Sequence, residues 1–176
     1  DTIVIQKTTV SIMPGPVRVA GSELPSSALI GSLPPTLPGG QNARGGQVGM
    51  LGNRDVMDTP FNTTSYTQDF IETRQIRSIR DALKDDPSVR AGFATGTAGV
   101  ERIQIRGFNI DNQDMAFGGI YGMLPFNGIT SELAERGEVL RGPAALLNGV
   151  AAGGSIGGEV NHIPTRAHDK PMTYTQ

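Results

Sequence analysis

The sequence predicts an α+β fold: a small mixed sheet of the four-stranded type with short helices, preceded by an extended Gly/Pro-rich segment. Three observations predict it. Candidate strands and helices are short and alternate irregularly, which favours a small α/β sandwich over a doubly wound sheet. No apolar run approaches the ~18 residues of a membrane helix; the longest are short stretches such as Ala144 to Leu147. Between Met13 and Gly52 only Arg18, Glu23 and Arg44 are charged, while Pro14, Pro16, Pro25, Pro34, Pro35 and Pro38 lie among glycines and serines. That composition reads as extended chain of low order, either a solvated linker or a segment that wraps onto a surface through its scattered Leu, Ile and Val.

The elements follow in order. Asp1-Thr2-Ile3-Val4-Ile5 is β-prone but too short to fold alone. It reads either as a frayed terminus or as a strand awaiting a partner's sheet edge. Residues 1–12 form that segment and 13–57 the extended linker. The folded part spans 58–167, and 168–176 lie beyond it. Tyr66 to Arg74 reads as a helix, with Thr67 as N-cap and Asp69 in the first turn. Ser78 caps a second, carrying Ile79, Ala82 and Leu83 on one stripe and ended by Pro87. Arg102 to Phe108 alternates, with Ile103 and Ile105 on one face and Gln104 and Arg106 on the other, as a half-buried strand does. Phe117 to Tyr121 is a further apolar candidate. Ile129 to Arg136 reads as a short helix carrying Leu133. Glu138 to Leu140 is a short strand, Ala144 to Asn148 a short helix with Gly149 at C′, and Gly157 to Pro164 the last strand.

Composition excludes several function classes. A net charge of −2 supplies no basic field for nucleic acid. There is no cysteine, hence no disulfide framework, thiolate metal site or thiol nucleophile. Trp is absent and aromatics are 5%, which argues against a base- or sugar-stacking platform. The two histidines, His162 and His168, have no metal-ligand spacing. Ser155 sits in Gly-Gly-Ser-Ile-Gly, outside a nucleophile elbow. The glycine run 149–158 lacks the Lys-Ser/Thr of a phosphate loop. Asp85-Asp86 reads as a solvated helix end, and His162 as a partly exposed strand residue. No enzyme, resident cofactor or metal is expected.

Specific non-catalytic strings remain. Ile105-Arg106-Gly107-Phe108, then Glu138-Val139-Leu140-Arg141-Gly142-Pro143-Ala144, then Asn148-Gly149, Gly153-Gly154 and Val160-Asn161 occur in that order. Upstream stand Leu83 to Val89 and Gly52-Asn53-Arg54-Asp55-Val56-Met57-Asp58-Thr59-Pro60-Phe61. Together, over about residues 52–167, they resemble the plug domain of TonB-dependent outer-membrane receptors of the ferric-siderophore type. Asp1 to Ile5 looks like the TonB box of that family. Four positions depart from its pattern. Gly137 replaces a β-branched residue and Asn148 an aromatic, while Glu159 and His162 replace small or apolar residues.

The resemblance implies a gate and ligand-contacting domain in the lumen of an outer-membrane barrel, with its N-terminus in the periplasm. The barrel needs about 22 strands that this sequence does not contain, Pro171 to Gln176 being the expected start of the first. TonB would pair with Asp1, Thr2, Ile3, Val4 and Ile5. Phe93, Ala94, Asn112, Gln113, Met123, Leu124 and Phe126 would meet the ferric siderophore through apolar and amide contacts. Arg106 and Arg141, with Glu135 and Glu138, would help lock plug to barrel; read from the residues alone, the same arginines form surface ion pairs of small worth. The alternatives are a plug for another cargo (haem, cobalamin, another metal chelate) or a soluble periplasmic plug-like binding module.

Overall fold

The computed structural model describes residues 33–93 and 101–167. Asp1 to Ile5, Ala94 and Pro171 to Gln176 lie outside them. Among these residues ten short strands and three short α-helices follow one another: β1 (Asn42–Ala43), β2 (Gly45–Gln47), β3 (Asn53–Asp55), β4 (Asn62–Thr67), α1 (Gln68–Thr73), α2 (Ile79–Ala82), β5 (Val89–Ala91), β6 (Arg102–Ile105), β7 (Phe108–Asp111), β8 (Ala116–Phe117), β9 (Ala134–Arg141), α3 (Ala145–Asn148) and β10 (Gly158–Pro164). This is an α+β architecture around a small mixed sheet. The main sheet runs β1-β4-β9-β10-β8, with β10–β8 parallel and the other pairs antiparallel. A hairpin β2–β3 and a meander β5-β6-β7 complete it.

The helix starts follow their capping residues. Thr67 Oγ1 accepts from Phe70 N–H, and Ser78 Oγ accepts from Asp81 N–H, so each side chain satisfies one of the orphan donors of the first turn. Tyr66 is not helical as expected, because it is paired with Gly137 in the β4–β9 ladder. The expected helix 129–136 is also replaced. Only a 3-10 turn forms, Ser131–Leu133, and Leu133 is exposed. From Ala134 onward the chain is drawn into a strand flanked on both sides, by β4 and β10. Ladder hydrogen bonds on both edges outweigh weak local helix preference. The expected strand 138–140 is the middle of that eight-residue strand.

Arg102 to Phe108 is not one strand. Arg106 and Gly107 adopt positive φ (53° and 88°), the backbone of a two-residue hairpin turn matched to strand twist. Ile103 and Ile105 are fully buried, as their alternation requires.

Strand β9 separates two layers. One face carries Val139, which joins Val160, Ile79, Leu83, Ile103, Ile105 and Ile110 in the main core. The other face is polar. Its cross-strand row Ser65–Glu138–Asn161 is buried, and hairpin β2–β3 covers it. The expectation of low order between Met13 and Gly52 does not hold for residues 45–52. Val48 is fully buried against Leu140, Ala144 and Leu147, and Gly46 meets the Ser65 and Glu138 side chains so closely that any Cβ there would collide with them. Glycine, read from composition as a sign of slack chain, here lets backbone lie flat on a polar layer.

Candidate functional site

The end of the meander remote from the Arg106-Gly107 turn gathers three loops. Register places Ala91 opposite Ile103, and Arg102 opposite Asp111, so the chain leaving β5, entering β6 and leaving β7 meets there. Arg102 is neutralised at this edge. Its guanidinium forks onto the Asp111 carboxylate, with Nη2 to Oδ2 at 2.9 Å, and lies 4.7 Å from the centre of the Phe93 ring. Such a fork with a stacked ring uses the full planar chemistry of arginine.

Asn112 does not present its amide outward. It is buried, and its Nδ2 donates to the carbonyls of Pro125 (2.6 Å) and Asn127 (3.0 Å). The loop 123–127 is thereby pinned beside β7, and Leu124 is tucked into the main core. Both residues position the loop rather than offer contact. Gln113, Met123 and Phe126 remain exposed at this end, and Phe93 is half-buried. The loop that carries Met123 and Phe126 is also uncharged. Residues 115–130 contain no Asp, Glu, Lys or Arg, and the Asp114 carboxylate is buried, accepting from Gly153 N–H.

At the opposite end, Arg106 is exposed at the hairpin tip and makes no ion pair among the described residues. A Cβ on Gly142, the residue after Arg141, would stand 3.8 Å from Arg106 Nη1, and Arg106 N–H donates to Ser88 O. Arg141 is not paired with Glu135 or Glu138. Its Nη2 meets Asp86, while Nε donates to Ser88 Oγ at 2.9 Å and Nη1 to Asn62 Oδ1 and Thr64 Oγ1 at 2.8 Å each. Alternation separates Arg141 from Glu138, which lies on the opposite face of β9, while Glu135 shares its face but stands six residues, about 20 Å, along the strand. Asp86 is therefore buried rather than solvated. Burial alone would raise its pKa, but hydrogen bonds from Arg141 and then Ser88 hold it below the usual carboxylate range. Asp85 is the exposed member, paired with Arg74.

The polar layer beneath hairpin β2–β3 holds Arg136, Glu138, Glu159 and Asn161, all buried. Glu138 Oε2 accepts from Gln47 N–H (3.0 Å) and Asn161 Nδ2 (3.3 Å), and Arg136 Nη1 donates to Pro34 O. Glu159 accepts from Asn148 Nδ2 and the Tyr121 hydroxyl. Burial pushes the Glu138 carboxyl up to about 7 and raises that of Glu159. The four departures from the family pattern fall into two neighbouring pairs. Asn148 and Glu159 are hydrogen-bonded. Gly137 lies directly across from His162 on the apolar face, where His162 is fully buried, not partly exposed, and pushed down to about 4 by burial. Among the described residues no group of three His, Cys, Asp or Glu could hold a metal.

Comparison with known proteins adds four findings. The family described as TonB-dependent Receptor Plug Domain matches residues 55–156, more than half the chain. The ferrichrome receptor FcuA of Yersinia enterocolitica is 39% identical over 158 residues, 89% of this chain and 21% of that protein. The vitamin B12 transporter BtuB of Vibrio vulnificus is 32% identical over 109 residues, 59% of this chain and 18% of its own length. Among solved structures, the ferric preacinetobactin receptor BauA of Acinetobacter baumannii superposes with a TM-score of 0.71 at 42% identity, over 76% of this chain and 20% of BauA. The chain spans about a fifth of the length of the curated relatives it matches.

Proposed function

The chain belongs to the family of TonB-dependent receptor plug domains, and from that premise we propose that it is the gate of an outer-membrane receptor that imports a ferric siderophore. The observation that carries this reading is the end where exposed Gln113, Met123 and Phe126 and half-buried Phe93 lie, with its cation paired and its 115–130 loop uncharged, the loop being held by buried Asn112 and Leu124. Apolar and amide groups suit the outside of a chelate whose donors already fill the metal's coordination. No protein ligand to iron is needed.

An anionic complex would call for an unpaired cation at this end. Arg102 is satisfied by Asp111, and residues 115–130 carry no charge. The cargo that fits is a ferric complex with no net charge, such as a tris-hydroxamate, rather than a highly anionic tris-catecholate. A plug in the lumen of its barrel would present Arg106 and Glu135 to the wall, while Arg141 and Glu138 act inside the domain. TonB would draw on Asp1 to Ile5 by strand addition, after cargo binding shifts the far end toward release.

The test is uptake of radiolabelled iron by cells carrying the full receptor. A tris-hydroxamate complex is expected to be taken up and a tris-catecholate not, with uptake lost in Ile3→Pro. Proline removes a ladder donor from the pairing strand. Unchanged uptake in Ile3→Pro would sink the strand-pairing step, and uptake of haem or cobalamin alone would assign another cargo.

A further inference from the structure

Hairpin β2–β3 seals a layer whose charges do not balance. On the face of β9 and β10 beneath it stand two buried carboxylates, Glu138 on β9 and Glu159 on β10, and one buried guanidinium, Arg136 on β9. Arg136 forms no ion pair with either acid among the described residues, and its Nη1 goes to Pro34 O. With both acids ionised, the layer would hold one uncompensated negative charge away from water, an arrangement of high cost.

The unpartnered atoms show where that charge is removed. Glu138 Oε1 and Ser65 Oγ, on residues 5% and 1% exposed, have no hydrogen-bond partner among the described residues. Both point at the same spot. The position where a Gly46 Cβ would stand is 2.6 Å from Ser65 Oγ and 2.8 Å from Glu138 Oε1. A small cleft opens there, with Gly46, Gln47, Ser65, Glu138, Glu159 and Asn161 among its lining residues, beside Val139 and Leu140. Two free oxygens fall short of the six or so that a hard cation takes, whereas a carboxylic acid O–H needs only one acceptor.

We propose that Glu138 is a buried proton site: the side chain is held as a neutral acid beneath hairpin β2–β3, its Oε1–H directed into the cleft toward Ser65, and lifting the hairpin releases the proton. The bookkeeping is one proton bound when the hairpin closes and one returned to water when it opens. Closure buries Glu138 through Gly46 and places the Gln47 N–H on Oε2; opening hydrates it and restores ordinary carboxylate behaviour. The charged and titratable groups facing Glu138 are Arg136 on β9 and Glu159 on β10, the latter held by Tyr121 and Asn148. No charged residue of β2 or β4 faces it, Gly46, Gln47, Thr63 and Ser65 being uncharged. His162 lies on the other face of β10 and stays buried when the hairpin lifts. The hairpin therefore grips harder in acid and loosens as pH rises.

Hydrogen exchange of residues 45–55 in the full receptor, corrected for intrinsic rates, reads the opening equilibrium directly. From the ordinary 4.5 to about 7, the opening constant should rise close to tenfold per pH unit, about two orders of magnitude in all, and level off above. Glu138→Gln, a permanent mimic of the neutral acid, should abolish the slope. Glu159→Gln should retain it. Flat exchange in the unaltered receptor overturns the proposal without any variant. A slope kept by Glu138→Gln, or lost with Glu159→Gln while Glu138→Gln keeps it, moves the proton elsewhere and overturns it equally.

Discussion

Removing the Arg141 guanidinium is expected to be the most damaging single change on the face away from the hairpin. In Arg141→Met the methylene stem is largely kept, but four hydrogen bonds disappear, to Asp86, Ser88, Asn62 and Thr64. These tie β9 to β4 and to the turn after α2. The larger effect is the charge left behind. The Asp86 side chain is 4% exposed and that of Arg141 10%, so solvent cannot take over the lost partner. Breaking a buried pair by deleting one member costs about 3–5 kcal/mol. Ser88, which donates to Asp86 from both its N–H and its hydroxyl, keeps the figure toward the lower end. Domains are stable by about 5–15 kcal/mol, so about 3 kcal/mol is a large share. In hydrogen exchange it reads as roughly a hundredfold faster opening of residues 86–88 and 62–64. The double variant Arg141→Met/Asp86→Leu removes both charges and should be less damaged than Arg141→Met alone, since isosteric apolar replacement of a buried pair is near neutral. Wild-type exchange in Arg141→Met, or a double variant as damaged as the sum of the singles, would refute the reasoning. The pH dependence has a definite sign: Asp86 is held low, so the contribution is full above the unfolded carboxylate pKa and is lost as pH falls through the native value.

Two further outcomes are expected. His162 is neutral when folded, being pushed down to about 4 from 6.5, so the unfolded chain binds more protons between those values. Its contribution is full above about 6.5, and about 3 kcal/mol is lost as pH falls to 4. His162→Leu should remove this acid sensitivity, measured as the pH dependence of β10 amide exchange, and leave the opposing Glu138 term exposed. A Cβ on Gly137 would lie 2.1 Å from Ile79 Cδ1, so Gly137→Ala should cost about 1–3 kcal/mol by overpacking. Adding Ile79→Val, which withdraws that methyl, should recover part of the loss in thermal unfolding.

Much of the fold was legible in the sequence where the signal is local. Thr67 and Ser78 read as caps because a hydroxyl before a helix has one dominant use, and both perform it. Ile103 and Ile105 read as buried because alternation in a strand has period two. Misread segments are those whose state is set by distant partners. Residues 134–136 became strand because β4 and β10 flank them, and 45–55 became ordered because Gly46 can lie against Glu138 and Ser65. Of the residues named for ligand contact, Asn112 and Leu124 are buried and support their loops instead. An amide and a leucine look the same in sequence whether they face solvent or a neighbouring carbonyl and core.

The sequence by itself determined the family, through ordered strings such as Ile105-Arg106-Gly107-Phe108 and Glu138 to Ala144, the class of fold, and the scarcity of charge in residues 115–130. These are matters of composition, order and short-range geometry. Only the tertiary structure decided which polar groups meet: Arg141 with Asp86, Asn148 with Glu159, and Glu138 with Gln47 and Asn161. The reason is physical. Electrostatic and hydrogen-bond partners act over a few ångströms in space, and the chain brings residues 46, 65, 138 and 161 into contact only through the register of four strands, which no local pattern encodes.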